Sequence, residues 1–520
     1  MAKNGSMRRG TLTGLGVLAA LCVAAVGGCG GCGGAPHRRQ PPARVPAPKA
    51  RPPVARSSAH RPNIVFVLTD DLAWNLVRYM PQVQRLRSRG VTFSQYFVTD
   101  SLCCPSRASI FTGRLPHDTG IFSNTPPDGG FVRFHTRGEE GATFATALQQ
   151  AGYRTAMMGK YLNGYRPAAL QGYVPPGWSA WSVGGDAYAE FGYALNEDHR
   201  VAYYDHRPRD YLTDVLARKG VDFVRSSAHA RQPFMLELAT FAPHAPYTPA
   251  PRDAHRFPRL NAPRTRAFDT QNTRPPRWLG RRRPLTPRDI VRIDYAFRQR
   301  VRAVQAVDRM LAQLEAALRK AHVARNTYIV FSSDNGLHMG EHRLLPGKLT
   351  AFDSDIRVPL VVVGPRIPHG RTVRKLSENI DLAPTFTQLA HTRMADRADG
   401  RSLVPLLLGR RVRRWRQAVL VEHRRPVRGP IDPDLPQEAA GNPSSYEAIR
   451  TARALYVQYL DGEVEYYDLT RDPQEVDNTA SLLGPLRRLR LLATLARLER
   501  CHGASACWRA GLRGPGSPPG

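Results

Sequence analysis

Two pairs of oxygen-bearing side chains, Asp70-Asp71 and Asp334-Asn335, each follow a short apolar run rich in β-branched residues, Asn63 to Leu68 and Thr327 to Phe331. Such runs read as buried parallel strands, which deliver polar residues at their C-terminal edges. Carboxylate and amide oxygens suit a hard divalent cation such as Ca2+ or Mg2+ rather than zinc. Taken singly, Asp-Asp is a turn or a helix cap and Asp-Asn-Gly a tight turn; their weight comes from what lies between them. Cys103 opens the run CCPSRASIFTGR, in which Arg107 and Arg114 accompany the thiol. Arg outnumbers Lys 68 to 7, so Lys160 in MMGKYLNGY and Lys348 in LLPGKLTAF are unusual positions. A compact ammonium suits a point contact on one oxyanion oxygen, the alternative being an ordinary exposed lysine. His244, in FAPHAPY, supplies an imidazole able to exchange a proton near neutrality, unless its Pro-rich loop uses it structurally. Cationic clamps, a positioned nucleophile and an acid are what hydrolysis of an anionic ester demands.

The run CCPSRASIFTGR resembles the sulfatase signature Cys-x-Pro-Ser-Arg-x-x-x-x-Thr-Gly-Arg, with Cys103 as the first cysteine and Cys104 at the variable position. The resemblance continues through RPNIVFVLTDD, MMGKYLNGY, FAPHAPY, SDNGLHMGEH and ENIDLAPTF, roughly Arg61 to His391. A weaker echo follows in YLDGEVEYYDLTRDPQEVDN. The chain is thus similar to type I sulfatases of the alkaline phosphatase superfamily. That resemblance implies oxidation of Cys103 to formylglycine by a formylglycine-generating enzyme. One hydroxyl of the hydrated aldehyde then attacks sulfur, and the other re-forms the carbonyl and expels sulfate. It implies Asp70, Asp71, Asp334 and Asn335, together with modified Cys103, as ligands of Ca2+, with Mg2+ less favoured. Arg107, Lys160, His244 and Lys348 become active-site residues, His244 as the acid on the leaving alcohol. The family often places a His two residues past the first lysine, where this chain has Leu162 and then Asn163. That variation is closer to N-acetylglucosamine-6-sulfatases and extracellular glucosamine sulfatases, and it leaves open which group takes the second diol proton. Asn163 and His338 are candidate substrate contacts.

The elements that must position these residues follow from periodicity. Strand, polar turn and helix alternate for most of the chain, which predicts an α/β sandwich with a large, mostly parallel sheet. Tyr153 to Met158, Phe234 to Leu238 and Val358 to Val363 read as further strands, and Phe144 to Ala151 as a short helix. Asp289 to His322 carries a 3.6-residue period and predicts one or two amphipathic helices. Beyond a basic, Pro-rich interval (Gly409 to Pro443) come three strand candidates, Ala448 to Ala452, Leu455 to Leu460 and Val464 to Leu469. Asp461-Gly462 is a hairpin signal between the last two. They predict a small antiparallel sheet packed with a helix, Pro485 to Leu498. The expected division is a catalytic domain over 61–408, an α+β subdomain over 409–510 and a flexible tail over 511–520. Substrate-contacting loops are expected between Asn124 and Gly141 and between Arg252 and Pro287, the latter a surface insertion.

The N-terminus reads as an export signal over residues 1–32. Lys3, Arg8 and Arg9 precede an apolar run from Leu12 to Val26. Val26-Gly27-Gly28-Cys29 is close to a bacterial lipobox, with Cys29 as the acylated residue; a plain secretory signal is the alternative. Residues 33–60 form a Pro-rich tether. The expectation is a bacterial exported protein, lipid-anchored or secreted, that meets the membrane only through this leader. Of seven cysteines, Cys501 and Cys507 remain beyond the leader and the Cys103 motif, and an oxidising compartment lets them pair. The formal net charge of +32 attracts polyanions, with Arg281 to Arg283 and Arg410 to Arg416 as candidate contacts. Arg-rich coding bias explains it with no partner at all and is the preferred reading, which makes these runs solvated faces first and polyanion contacts second; no motif supports specific nucleic-acid recognition. The leading reading is a sulfatase acting on a sulfated sugar or an aryl sulfate. The alternatives are a phosphomonoester or phosphonate hydrolase on the same scaffold, or a cell-surface polyanion binder if Cys103 stays a thiol.

Overall fold

The structure is a computed structural model describing residues 61–394, 398–425 and 437–514. The leader with Cys29, the Pro-rich tether and residues 515–520 of the expected tail lie outside the described residues. A ten-stranded sheet organises the chain. From edge to edge its strands are Arg371–Val373, Val91–Phe93, Leu360–Val363, Thr327–Ser333, Asn63–Thr69, Phe234–Ala239, Arg154–Lys160, Ala180–Gly184, Ala194–Glu197 and Arg200–Tyr203. The run from Thr327–Ser333 to Ala180–Gly184 is parallel throughout. Leu360–Val363 and Ala194–Glu197 oppose their neighbours.

Asn63–Thr69 shows why the sheet is covered on both faces. Ile64, Phe66 and Leu68 enter one apolar layer while Val65 and Val67 enter the other, and all are fully buried. A strand with no polar face needs helices on both sides. Cys103–Thr112, Phe144–Gln150 and Leu382–Leu389 cover the first face. Leu212–His229 and Pro287–Lys320 cover the second. The latter is one continuous helix of 34 residues, opened by a capping box between Thr286 and Asp289.

The C-terminal sheet has four antiparallel strands, Ala418–His423, Tyr446–Thr451, Ala454–Tyr459 and Val464–Asp468. The first falls inside the interval read as basic and Pro-rich, where flanking arginines conceal a fully buried strand. Val419, Val421, Ala448 and Val457 enter the same core as Phe66, so the two sheets share one compact unit. Helices Pro485–Glu499 and Ala504–Leu512 cover the other face, joined by the Cys501–Cys507 disulfide. The second helix runs past residue 510, so ordered structure continues into the expected tail.

Residues 252–287 contain little regular structure but are more than a surface insertion. Asn272 Nδ2 donates to Tyr467 Oη (3.0 Å), Trp278 Nε1 donates to Tyr459 Oη (2.9 Å), and Arg266 pairs with Asp477 (2.5 Å). The segment straps the catalytic core to the small sheet. Residues 124–141 also carry more order than their sequence suggests, including a helix, Gly130–Thr136.

Candidate active site

Carboxyl ends of adjacent parallel strands converge on one point. Asn63–Thr69 hands over Asp70 and Asp71, and Thr327–Ser333 hands over Asp334 and Asn335; all four side chains are buried. Asp71 adopts a left-handed backbone (φ 62°), which aspartate tolerates, and its N–H donates to Asp334 Oδ1 at 3.1 Å. Asn335 Nδ2 donates to Asp71 Oδ1 at 2.6 Å. Lys160 is the last residue of its strand. The preceding Gly159 has φ 106°, and a Cβ there would sit 1.9 Å from the Ala239 carbonyl oxygen, so only glycine lets that strand approach its neighbour.

Each part of the cysteine motif has a visible task. Cys103 begins helix Cys103–Thr112, whose every residue is buried. Pro105 is tolerated in its first turn, where backbone N–H groups lack helical partners. Ser106 and Arg107 reach the second oxygen pair: Ser106 Oγ donates to the Asp334 carbonyl, and Arg107 Nε to Asp334 Oδ2 at 2.8 Å. Gly113 closes the helix in the left-handed conformation (φ 71°), its N–H donating to the Ser109 carbonyl. The signature is therefore a rigid buried helix that aims its first residue and binds its fifth to the carboxylates.

Around the Cys103 thiol the groups are close. Lys348 Nζ lies 2.8 Å from Sγ and 2.8 Å from Asp71 Oδ1. Asp70 Oδ1 is 3.4 Å from Sγ, and its other oxygen accepts from Lys160 Nζ at 2.6 Å. His244 Nε2 stands 3.5 Å from Asp71 Oδ2, while Nδ1–H donates to the Ala245 carbonyl at 2.7 Å. Asp70, Asp71, Cys103 and His244 thus present ligand atoms all within 4.8 Å of one another.

These residues fit a divalent cation. Asn335 Oδ1 is buried with no hydrogen-bond partner, an acceptor facing no donor. Burial, then repulsion from Asp70, pushes the Asp334 carboxyl up to about 7 against the pull of Arg107 and Lys160. Three buried carboxylates and an amide oxygen are a hard-ion donor set. Burial opposes charge on Arg107, but Asp334, Asp70 and Cys103 outweigh it and hold the guanidinium above its ordinary value.

Asn163 donates from Nδ2 to the Tyr188 hydroxyl at 3.4 Å. His338 is not placed to receive substrate. Its Nδ1 is 3.0 Å from both Asp355 oxygens and its Nε2 donates to the Ala440 carbonyl at 2.9 Å, so both nitrogens are used. It braces the loop carrying Lys348, since the His338 and Gly347 backbones pair.

Three further residues build the site. Asn124 Oδ1 accepts from the Cys104 N–H at 3.0 Å, fixing the head of the helix. Tyr188 lies under Lys160 (4.9 Å to the ring) and against the His244 ring (4.7 Å). Arg300, fully buried, donates to the Asp71 carbonyl. Arg300 has a signal in the sequence, because it falls on the apolar stripe of its helix beside Phe297, Val301 and Val304. Asn124 has only its place at the start of a loop expected to contact substrate and Tyr188 has none; both lie in irregular chain that the fold brings close.

An alkaline-phosphatase-like sheet with a cysteine-headed helix set against buried carboxylates defines a class of sulfuric ester hydrolases. The chain belongs to the sulfatase family: the family model Sulfatase matches residues 62–392, and N-sulphoglucosamine sulphohydrolase, C-terminal, matches residues 340–483. It is similar to human N-acetylglucosamine-6-sulfatase, 34% identical over 489 residues that cover 88% of each chain. It is also similar to the Drosophila melanogaster extracellular sulfatase SULF-1 homolog, 34% identical over 70% of this chain and 33% of that one. A solved structure of a protein in complex with D-glucosamine-2-N,6-O-disulfate superposes with a TM-score of 0.71 at 23% identity, covering 85% of this chain and 98% of that one. The phosphonate monoester hydrolase of Agrobacterium radiobacter shares the fold at a TM-score of 0.62 and 21% identity, covering 81% of this chain and 92% of that one.

Proposed function

We propose that this chain is an exported sulfatase that removes the 6-O-sulfate from glucosamine-type sugars, using formylglycine at position 103 and a bound Ca2+. The observation that carries the reading is the Cys103 side chain, held at the head of a buried helix between Asp70 and Lys348. Likeness to N-acetylglucosamine-6-sulfatase over 88% of the chain supplies the substrate class. Formylglycine supplies a geminal diol as nucleophile, which no encoded side chain offers. Asp70, Asp71, Asp334 and Asn335 would hold the cation, which would act as a Lewis acid toward the sulfate group.

The remaining work falls to side chains already in place. Lys348 and Lys160 bring two ammonium groups to a water-poor pocket, where charge developing on sulfate oxygens is stabilised without reorganisation. Arg107 holds Asp334 and, through its bond to the Lys160 carbonyl (2.7 Å), the strand end that carries the second lysine. The Ala245 carbonyl fixes the proton on His244 Nδ1, leaving Nε2 facing the site to pass a proton to the leaving alcohol. The test is a desulfation panel on enzyme produced with a formylglycine-generating enzyme. N-acetylglucosamine-6-sulfate should give the highest kcat/KM, ahead of an aryl sulfate and a phosphonate monoester. Faster phosphonate cleavage, or retention of sulfated sugar without turnover, would overturn the proposal.

A further inference from the structure

The basic surface has a concave focus away from the active centre. At one end of the antiparallel sheet is an open groove of about 1370 Å³, lined among the described residues by nine Lys or Arg side chains and a single acid, Asp468. Arg416 is taken up beneath it by Glu378 (3.2 Å) and Asp381 (2.5 Å), and Arg487 lies over the Tyr466 ring. Among the described residues, Arg374, Lys375, Arg413, Arg414, Arg453 and Arg490 form no ion pair with any carboxylate. Arg490 Nε is buried and has no hydrogen-bond partner. Like charges gathered around one concavity repel each other and focus the field within it, a cost that a bound polyanion relieves. Coding bias raises the number of arginines everywhere but does not strip one groove of acids. The Arg281 to Arg283 run shows the contrast: Arg282 donates to the Glu438 carbonyl, and Arg283 faces Asp289 at 3.2 Å.

We propose that this groove is an exosite for a sulfated polysaccharide, holding the polymer at a distance from the ester being cleaved. The inference rests on the sulfated-sugar reading of the active site. Guanidinium forks match the oxygens of a sulfate group, as they do those of phosphate and carboxylate. Nucleic acid fits less well, because Trp415 is buried and Tyr466 is covered by Arg487, leaving no stacking platform for bases. The strand Tyr446–Thr451 links the two sites. Tyr446 Oη donates to the Leu349 carbonyl at 3.1 Å, beside Lys348, and Thr451 lines the groove about 17 Å further along at the usual rise of a strand. A chain held in the groove keeps its other sulfated sugars at high local concentration near the catalytic centre.

The experiment replaces the exposed Arg413, Arg414 and Arg453 together by Ser, with a charge-matched control in which exposed Arg288, Arg292 and Arg325 become Ser. A heparin octasaccharide should bind the groove variant about tenfold more weakly, as expected for three lost surface ion contacts, and leave the control unchanged. KM for that octasaccharide, followed as sulfate release, should rise in parallel while kcat/KM for N-acetylglucosamine-6-sulfate stays at the parent value. Unchanged binding in the groove variant, equal weakening in both variants, or equal retention of single-stranded DNA and heparin by the parent would each overturn the exosite. Absence of turnover on the monosaccharide would instead defeat the proposed function, since the binding measurement does not depend on it.

Discussion

Lys348 touches both the Cys103 sulfur and Asp71, so one ammonium reaches the proposed nucleophile position and a carboxylate of the proposed cation site at once. Lys348→Ala should lower kcat by ~10²–10³-fold, the usual loss when a preorganised charge is removed from a site excluded from water. The folded state should survive the change, which circular dichroism checks. His244→Ala should behave differently. Because an acid matters in proportion to the basicity of the leaving group, sugar sulfates should slow by ~10²–10⁴-fold and activated aryl sulfates far less. Equal losses on both substrates would remove His244 from that role. At this scale the sequence is most legible where a residue breaks a local rule. Lysines stand out in an arginine-rich chain, and carboxylates stand out where apolar runs end. His338 has an equally suggestive setting, yet it is committed to Asp355 and Ala440. Burial opposes its charge, but Asp355 prevails and holds the ring above its ordinary value. No local pattern separates a histidine that braces a loop from one that meets substrate.

Elements are fixed by contacts that cross between the two sheets. His117 Nδ1 lies 2.9 Å from Glu422 on the strand Ala418–His423, and its Nε2 donates to the Cys501 carbonyl at 2.9 Å. Burial opposes charge on this ring, but Glu422 and the carbonyl outweigh it and raise its pKa to about 9. A histidine raised in the folded state contributes stability that is fully present below its unfolded value of roughly 6.5 and disappears as pH climbs through the folded value. The pair should therefore contribute up to ~3 kcal/mol near pH 6 and almost nothing at pH 10. His117→Gln should lower Tm at pH 6 and flatten its fall between pH 6 and 10; identical pH profiles would reject the coupling. Gly159→Ala tests strand placement. With φ at 106° and a carbonyl 1.9 Å from the new Cβ, it should cost on the order of 3 kcal/mol or more in denaturant unfolding. The central strands and the long helix are legible from their periods. Ala418–His423 is hidden because its apolar run is short and lies between arginines, so that composition points to loop while tertiary burial makes a strand.

Across the whole molecule, the sequence shows a large catalytic core and a small antiparallel sheet, and the structure adds how they are joined. Arg450 on the small sheet pairs with Asp353 (2.8 Å) just beyond the Lys348 loop, and the strap over residues 252–287 closes over the same boundary. None of this is visible in linear order, because its partners lie roughly 100 to 200 positions apart and neither segment has a period. Among the described residues no helix is long and apolar enough to cross a membrane. Catalysis by this route requires one covalent change, the oxidation of Cys103. The direct measurement is the mass of the peptide containing Cys103 from protein isolated from its native host. The expected peptide is lighter by about 18 Da than the thiol form, with hydroxylamine capture revealing any aldehyde masked by hydration. An unmodified thiol in enzyme that still releases sulfate, or in all of the native protein, would contradict it.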